Sequence, residues 1–387
     1  MPGSGSTIVT AGVISFTPAG SALRWGAFPF IALCVWQCIS TSIDYLVRSP
    51  WASLVGGHSV TLLFQYIDLV LLRRWTVELS HSNPRNRFWM RRFALGLSST
   101  WNSRFVGTRE QVKNVPRFSS TDPKYIPTRS VFLRSMATRI LVSYVLLDIL
   151  GASADPEVNA RFYTLAKIPV FGRLGEISSE ELLMRVGCVV GAAIGLVCTQ
   201  GGIYCIFAVV GVLLGVSDPK DWPPFYGSIF DAYTLRGFWS CSWHQSNTHK
   251  LNSISRYLTY ELMKIQPHTL GAKFTRMGVV FAVSGFMHFL IDISAGIPVY
   301  DSGAMRFFCT QIVGIIVEEL FRAAHGLIRP QHKTETPSKR QRAVGYVWVG
   351  AFLVWSLPSY VYPMMYRGAL GLDDSVVPVK LVQRVLQ

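Results

Sequence analysis

Residues 222–245 read Trp-Pro-Pro-Phe-Tyr-Gly-Ser-Ile-Phe-Asp-Ala-Tyr-Thr-Leu-Arg-Gly-Phe-Trp-Ser-Cys-Ser-Trp-His-Gln, a stretch rich in aromatic side chains. If its last eleven residues are helical, Trp239 and Trp243 lie four apart on one face, with Phe238 beside them and His244 at the edge. Trp prefers the headgroup level of a membrane. The pattern therefore predicts a helix that lies at a membrane surface.

The composition places the rest of the chain in a bilayer. Half of the 387 residues are apolar and 15% are charged, whereas soluble proteins carry about 25% charged residues. We therefore expect an all-α, polytopic membrane protein. The predicted spans cover about 26–44, 54–72, 136–150, 277–294, 305–325 and 345–362.

Residues 1–25 are predicted to be an N-terminal tail. The segment is rich in Gly, Ser and Thr and lacks a basic start and a strong apolar core. No cleavable signal peptide is expected from this pattern. The first span should therefore act as the targeting signal.

The stretch 182–216 is the hardest to assign. It is charged only at Arg185 and contains Gln200-Gly-Gly202, so two short helices fit it as well as one long or bent helix does. If the basic loops at 73–135 and 329–342 lie on the same side, this stretch should cross the membrane an odd number of times. We favour one crossing plus a re-entrant or interfacial piece, which gives about seven spans in all, with eight as the alternative.

The net charge of +15 is concentrated in one loop. Between Arg73 and Arg134 the chain has thirteen Lys or Arg and three Asp or Glu, a distribution that argues against a nucleic-acid-binding protein. By the positive-inside rule, residues 73–135 should face the cytosol, with a basic amphipathic segment at 88–101 on the anionic leaflet. Span parity places residues 222–245 on the cytosolic side as well, and the expected membrane is that of the endoplasmic reticulum.

The seven cysteines lie mostly in apolar segments, and none forms a Cys-x-x-Cys pair. Neither a disulfide framework nor a metal site is expected. Two acidic residues have simple interpretations. Asp68 should be solvated or paired with Arg73, and Glu318 should pair with Arg322 one helical turn later.

A polar stripe crosses the predicted span at 277–294. Ser284, His288 and Asp292 are spaced by four and share one helical face. Polar groups at membrane depth are costly and usually face a protein interior or a water-filled cavity. His288 is a candidate general base, with Asp292 accepting a hydrogen bond from its other ring nitrogen. From the residues alone, a histidine satisfied by an interhelical hydrogen bond is the favoured interpretation.

The sequence Phe-Trp-x-x-x-Trp-His-Gln, preceded by Pro-x-Phe and Thr-Leu, resembles the signature of the wax-synthase branch of the membrane-bound O-acyltransferases. It is most similar to fungal members that acetylate terpenoid and meroterpenoid alcohols, and the resemblance covers roughly 220–290. It implies that His244 binds the thioester carbonyl or the pantetheine of the donor. It also implies that a membrane-embedded histidine follows about forty residues later, which favours His288 as the general base. The chain has Thr248 where the family usually has Arg, and Lys250 or His249 is expected to replace that contact.

The resemblance implies one acyltransferase domain over 1–387, with its signature region at 222–292 and its helices around a membrane-embedded reaction cavity. It predicts an O-acetyltransferase that uses acetyl-CoA as co-substrate, a hydrophobic alcohol as acceptor and no bound cofactor. A long-chain, wax-ester-type acyltransferase is the alternative, and a membrane transporter or a non-catalytic scaffold would be a different class of protein. The residues expected to bind the donor or substrate are Phe238, Trp239, Trp243, Gln245, Lys250 and Ser284.

Overall fold

A computed structural model describes residues 2–77, 88–328 and 337–382, with the side chains of residues 2–4 and 325–328 left undescribed. Helices are the only regular elements in these ranges. The α-helices are α1 (Pro2–Phe16), α2 (Leu23–Leu46), α3 (Ser49–Tyr66), α4 (Phe88–Trp101), α5 (Arg129–Ala152), α6 (Pro156–Phe162), α7 (Ser179–Leu213), α8 (Leu235–Gly237), α9 (Thr248–Arg256), α10 (Leu270–Ser294), α11 (Ala304–Ile328), α12 (Lys339–Ser356) and α13 (Pro358–Ala369). Three π-helical turns continue α3, α8 and α9, and they cover Ile67–Leu72, Phe238–Ser242 and Tyr257–Leu262.

Five helical segments of the described chain are long and apolar enough to cross a membrane: α2, α3 with its π turn, α5, α7 and α10. The pair α12 and α13, bent by 53° at Leu357 and Pro358, would make a sixth. The prediction of an all-α, polytopic membrane protein is confirmed. The predicted count of seven spans is not confirmed, because α11 carries Glu318, Glu319 and Arg322 within its second half and does not qualify.

The prediction of a re-entrant piece in 182–216 is wrong. The structure has one unbroken helix of 35 residues, α7, which at 1.5 Å per residue is about 50 Å long. This length exceeds the roughly 30 Å hydrocarbon core of a bilayer. The glycines that suggested a break are used for packing, since a Cβ at Gly202 would lie 3.4 Å from Ser143 of α5.

The N-terminal segment also differs from the predicted tail, because residues 2–16 form α1. Ala11 and Ile14 are fully buried. Ser15 donates its hydroxyl to the Arg92 carbonyl at 3.0 Å, and Gly96 of α4 lies against the backbone of Ala11. A few apolar residues among Gly, Ser and Thr are therefore enough for α1 to pack as a helix. Within the predicted basic loop, the structure has α4 followed by irregular chain over 102–128. Residues 78–87 of this loop, and most of the 329–342 loop, lie outside the described residues.

The chain divides into two compact units. The first comprises Met1–Val112 and Ser246–Phe308. In it, α10 packs against α3, where Gly56 lies against Ser294 and Gly57 against Ile291. This packing fixes the helix that carries His288.

The second unit comprises Lys113–Gln245 and Cys309–Gln387 and contains the aromatic signature. Its C-terminal segment is bonded to α5. Asp148, buried on α5, accepts hydrogen bonds from the backbone N–H groups of Leu381 and Val382 at 2.9 and 3.0 Å. Tyr144 donates its hydroxyl to the Val379 carbonyl at 2.6 Å.

Candidate active site

His288 lies on α10 in the first unit, with its ring half-buried. Its Nδ1 is 2.7 Å from the carbonyl oxygen of Ser284, whose side chain is buried. A carbonyl oxygen only accepts hydrogen bonds, so Nδ1 must carry a proton. In the neutral imidazole the lone pair is then on Nε2. The local helix geometry therefore makes Nε2 the nitrogen of His288 that can accept a proton.

The His288 ring is held by close packing. It stacks on Phe308, with the ring centroids 4.1 Å apart. Gly285 allows this approach, because a Cβ at that position would lie 3.1 Å from the Met305 sulfur and 3.3 Å from Phe308 Cβ. A larger residue at 285 would therefore displace the residues against which the imidazole rests.

The predicted bond between Asp292 and His288 is replaced by other contacts. Asp292 is buried and accepts a hydrogen bond from the Ser302 hydroxyl at 2.6 Å. Side chains on a helix lean toward its N-terminus, so His288 reaches back to residue 284 rather than forward to 292. The Ser284 carbonyl is thus the group that fixes the tautomer of His288. Asp292 instead binds Ser302, in the segment between α10 and α11.

The aromatic signature forms a shorter helix than predicted. The helical part of Leu235–Ser242 ends in a π turn, closed by the Trp243 N–H on the Phe238 carbonyl at 2.8 Å, and Trp243 itself is extended. Trp239 and Trp243 do meet, with ring centroids 6.0 Å apart. Both are half-buried, and Trp239 donates its indole N–H to Gln311 at 3.1 Å. The predicted helix over 235–245 is thus too long, while its position at a membrane surface stays a prediction.

His244 follows the end of this helix and lies among aromatic rings. Its ring stacks on Phe225 at 5.4 Å, and Tyr226 and Trp243 lie at 6.0 and 5.4 Å. Trp243 in turn contacts Phe238 at 5.6 Å. These rings hold the plane of the His244 imidazole.

Several hydrogen bonds hold the backbone around His244. Gln245 is buried and donates from Nε2 to the Trp243 carbonyl at 2.7 Å. Gly227 donates to the Ser242 carbonyl at 2.9 Å, and Ser242 returns its hydroxyl to the Ser228 carbonyl at 2.7 Å. Of the predicted residues, the second unit thus brings together Phe238, Trp239, Trp243, His244 and Gln245.

The sequence did not reveal a buried acid–histidine pair in the first unit. Asp68 is fully buried, contacts His249 Nδ1 through one oxygen and lies 3.5 Å from Arg73 Nε through the other. The His249 ring is buried and packs against Phe105 at 3.9 Å. The predicted pairing of Asp68 with Arg73 is present, but Asp68 is not solvated.

Lys250, a predicted donor-binding residue, has no exposed surface. Its ammonium donates to the Ser246 carbonyl at 2.7 Å and to the Asn247 side-chain oxygen at 3.2 Å. Burial lowers the pKa of Lys250 to about 8, and the nearby Asp68 carboxylate only partly opposes this shift. That Lys250 or His249 replaces the donor contact of the family's Arg stays a prediction.

The lowered pKa of Lys250 predicts a pH-dependent stability. Its pKa falls from 10.5 to about 8 on folding, so the folded state carries the cost of a buried charge below pH 8. That cost disappears as the pH rises toward 10.5 and amounts to about 1–3 kcal/mol. Melting of detergent-solubilised protein should show the native chain gaining stability from pH 7.5 to 9.5 relative to Lys250→Met. Lys220→Met, at an exposed lysine, should keep the native slope, and parallel pH curves for the native chain and Lys250→Met would contradict the shift.

The predicted ion pair of Glu318 with Arg322 is present at 3.7 Å. It is not the closest contact of this carboxylate. Glu318 accepts hydrogen bonds from the Leu235 backbone N–H at 2.6 Å and from the Trp348 indole at 2.9 Å. Glu318 therefore binds the start of α8, a role that the sequence spacing did not suggest.

The second unit has a partly open cavity of about 200 Å³. Its lining residues are Phe118, Tyr125, Pro127, Val131, Phe132, Ser135, Met136, Arg139 and Pro224. Small-molecule sites usually measure 300–1,000 Å³. We assign no substrate to this cavity.

Comparison with known proteins gives a consistent result. Residues 222–310 match the model of the membrane bound O-acyl transferase family. The chain is 32% identical to the acetyltransferase fsoF of Humicola fuscoatra, over 81% of this chain and 83% of the relative. It is 33% identical to the acetyltransferase ataH of Aspergillus terreus, over 71% and 90%, and 29% identical to the acetyltransferase aurG of Calcarisporium arbuscula, over 91% and 89%.

Proposed function

Because this chain belongs to the membrane bound O-acyl transferase family, alongside fungal acetyltransferases, we propose that it transfers an acetyl group from acetyl-CoA to a hydroxyl group of a terpenoid or meroterpenoid alcohol. An acyl-CoA donor and an alcohol acceptor are the substrates expected of such an enzyme. The acetyl donor follows the names of the relatives, and the terpenoid acceptor follows the resemblance of the aromatic signature.

The observation that carries the mechanism is the hydrogen bond from His288 Nδ1 to the Ser284 carbonyl. It places the lone pair of the neutral imidazole on Nε2, which in this proposal accepts the proton of the acceptor hydroxyl as the oxygen attacks the thioester carbon. The C–S bond then breaks, and the imidazolium returns its proton to the coenzyme A thiolate. The products are the ester and free coenzyme A, His288 is again neutral, and no covalent acyl-enzyme is formed.

His244 is assigned to the acyl donor in this proposal. An imidazole N–H placed by the surrounding rings can donate to the thioester oxygen and stabilise the negative charge that develops there. Phe238, Trp239, Trp243 and Gln245 support it by packing and backbone contacts. Ser284 contributes its carbonyl to His288, and Lys250 contributes a buried positive charge to the first unit.

The proposed activity can be tested in microsomes that contain the protein. They are incubated with radiolabelled acetyl-CoA and a panel of hydroxylated terpenoids, with long-chain fatty alcohols as comparison acceptors and palmitoyl-CoA as comparison donor. We expect labelled terpenoid acetate, absent from matched microsomes that contain His288→Ala. Ester formed only from palmitoyl-CoA and a fatty alcohol would replace the proposal with the wax-ester alternative.

Orientation in the membrane is part of the proposal. We place residues 73–135 and 217–272 in the cytosol, where acyl-CoA is available, and the membrane is that of the endoplasmic reticulum. A cysteine at exposed Ser120 should react with an impermeant maleimide in sealed, right-side-out microsomes, whereas Gly175→Cys, on the far side of α5, should react only after permeabilisation. The reverse pattern of labelling would invert the topology.

A further inference from the structure

Two polar side chains of α11 contact the aromatic signature. Glu318 binds the Leu235 backbone N–H at 2.6 Å, and Gln311 accepts from the Trp239 indole at 3.1 Å. The two residues are seven apart, about two helical turns, and so lie on one face. One helix face thus binds both the start of α8 and the first part of the π turn that follows it.

The same two side chains are also bonded to α12. The Glu318 oxygen that accepts from Leu235 accepts from the Trp348 indole at 2.9 Å. Gln311 donates from Nε2 to the Ser356 hydroxyl at 3.4 Å. Each of the two residues therefore links the signature to α12, at two levels of α11.

The contacts of Gln311 and Glu318 are buried, so losing one of them should be costly. Gln311 has no exposed surface and Glu318 is 8% exposed, and buried polar groups are costly to leave unpaired. Between them, Gly314 lies against Leu235, and a Cβ there would fall 2.7 Å from the Phe352 ring. The side chains of α8 and α12 therefore pack directly on the α11 backbone at Gly314. Loss of a hydrogen bond that the signature itself makes to α11 should therefore shift the signature.

A line of contacts runs from this helix face to His244. Gln311 binds the Trp239 indole, the Trp239 ring lies against Trp243, and Trp243 lies against His244 at 5.4 Å. A further bond, from Asn114 to the Ser240 carbonyl at 2.8 Å, fixes the same π turn. The position of the His244 ring thus depends on where α11 holds the preceding turn.

We propose that Glu318 and Gln311 are positioning residues for acyl transfer, which set the His244 imidazole by holding residues 235–243. This inference rests on the role of His244 in the proposed function. The pair of Glu318 with Arg322 does not explain the burial of Glu318, because Arg322 is half exposed at 3.7 Å and pairs of this kind contribute little. The short bond to a backbone N–H of the signature does explain it.

The first test compares two variants in full-length protein in microsomes. Glu318→Met removes the acceptor of the Leu235 N–H, and we expect turnover to fall about ten- to a hundredfold, since small displacements of a reacting group have effects of this size. Trp348→Phe, the matched control, removes the other bond to the same oxygen without touching the signature, and it should change turnover less than about threefold. Glu318→Gln keeps an acceptor oxygen and should recover most of the lost turnover. Equal losses in Glu318→Met and Trp348→Phe would reduce Glu318 to a contact between α11 and α12.

The second test asks whether Glu318 acts through His244. In a double-mutant cycle, Glu318→Met should cause little further loss in a His244→Ala background. A full, multiplicative loss in that background would overturn the positioning role while leaving His244 in place. Near-normal turnover of His244→Ala alone would instead refute the proposed function of His244. If Glu318→Met does not fold, Gln311→Met takes its place in the cycle with the same criteria, because it removes the acceptor of the Trp239 indole.

Discussion

Replacing His288 with alanine should lower the turnover of acyl transfer by a factor of about 10²–10⁴, the range typical for loss of a general base. The hydroxyl would then have to lose its proton to water or remain protonated as it attacks. Initial rates with labelled acetyl-CoA at saturating acceptor measure this loss. Because the imidazole is proposed to act on the proton and not on the donor, binding of a non-transferable ketone analogue of acetyl-CoA should be unchanged.

Folding must be followed in the same preparation. His288 packs on Phe308 and donates to a backbone carbonyl, so its loss can also lower stability by about 1–3 kcal/mol. Phe308→Leu is the matched control, since it loosens the same packing but keeps the imidazole; we expect a lower melting temperature with less than about a tenfold loss of turnover. A folded His288→Ala protein with near-normal acetylation would return His288 to a structural role.

His244→Ala should lower turnover by a factor of about 10²–10³, the loss expected when one donor to a developing oxyanion is removed. In contrast to His288→Ala, it should also weaken binding of the ketone analogue, because the same imidazole is proposed to contact the thioester in the ground state. The comparison of turnover with analogue affinity, measured for both variants side by side, separates the two histidines.

His244→Asn serves as the control for His244→Ala. It retains a side-chain N–H donor close to the position of the imidazole but cannot stack on Phe225, so partial recovery of turnover is expected. Unchanged analogue affinity in His244→Ala, combined with a large loss of turnover, would move His244 away from the donor. Normal values of both would remove it from the reaction.

The apolar helices were readable from sequence because hydropathy over about twenty residues is a local property. The predicted span at 277–294 lies within α10, and His288 stood out because an imidazole is rare in such a run. Its partner was misjudged for a geometric reason. Spacing by four treats residues 284 and 292 alike, whereas the lean of helical side chains toward the N-terminus distinguishes them.

The remainder of the candidate site depends on contacts that sequence spacing does not encode. Trp239 meets Gln311 across 72 residues, and Asp68 meets His249 across 181. The π turn at Phe238–Ser242 was equally hidden, because one extra residue per turn leaves no mark on an aromatic pattern of this length. The sequence thus located the aromatic signature but did not reveal the contacts and the backbone geometry that hold it in place.

The bond between Asp148 and the C-terminal segment affects how this protein can be handled. Two consecutive backbone N–H groups, of Leu381 and Val382, are bound by a carboxylate that is buried in an apolar helix. A chain shortened before residue 381 would lose both donors and leave that carboxylate without them, at a cost of several kcal/mol. Truncation before residue 381, a common step toward better expression, should therefore reduce the yield of this enzyme, and an affinity tag should leave residues 381 and 382 in place.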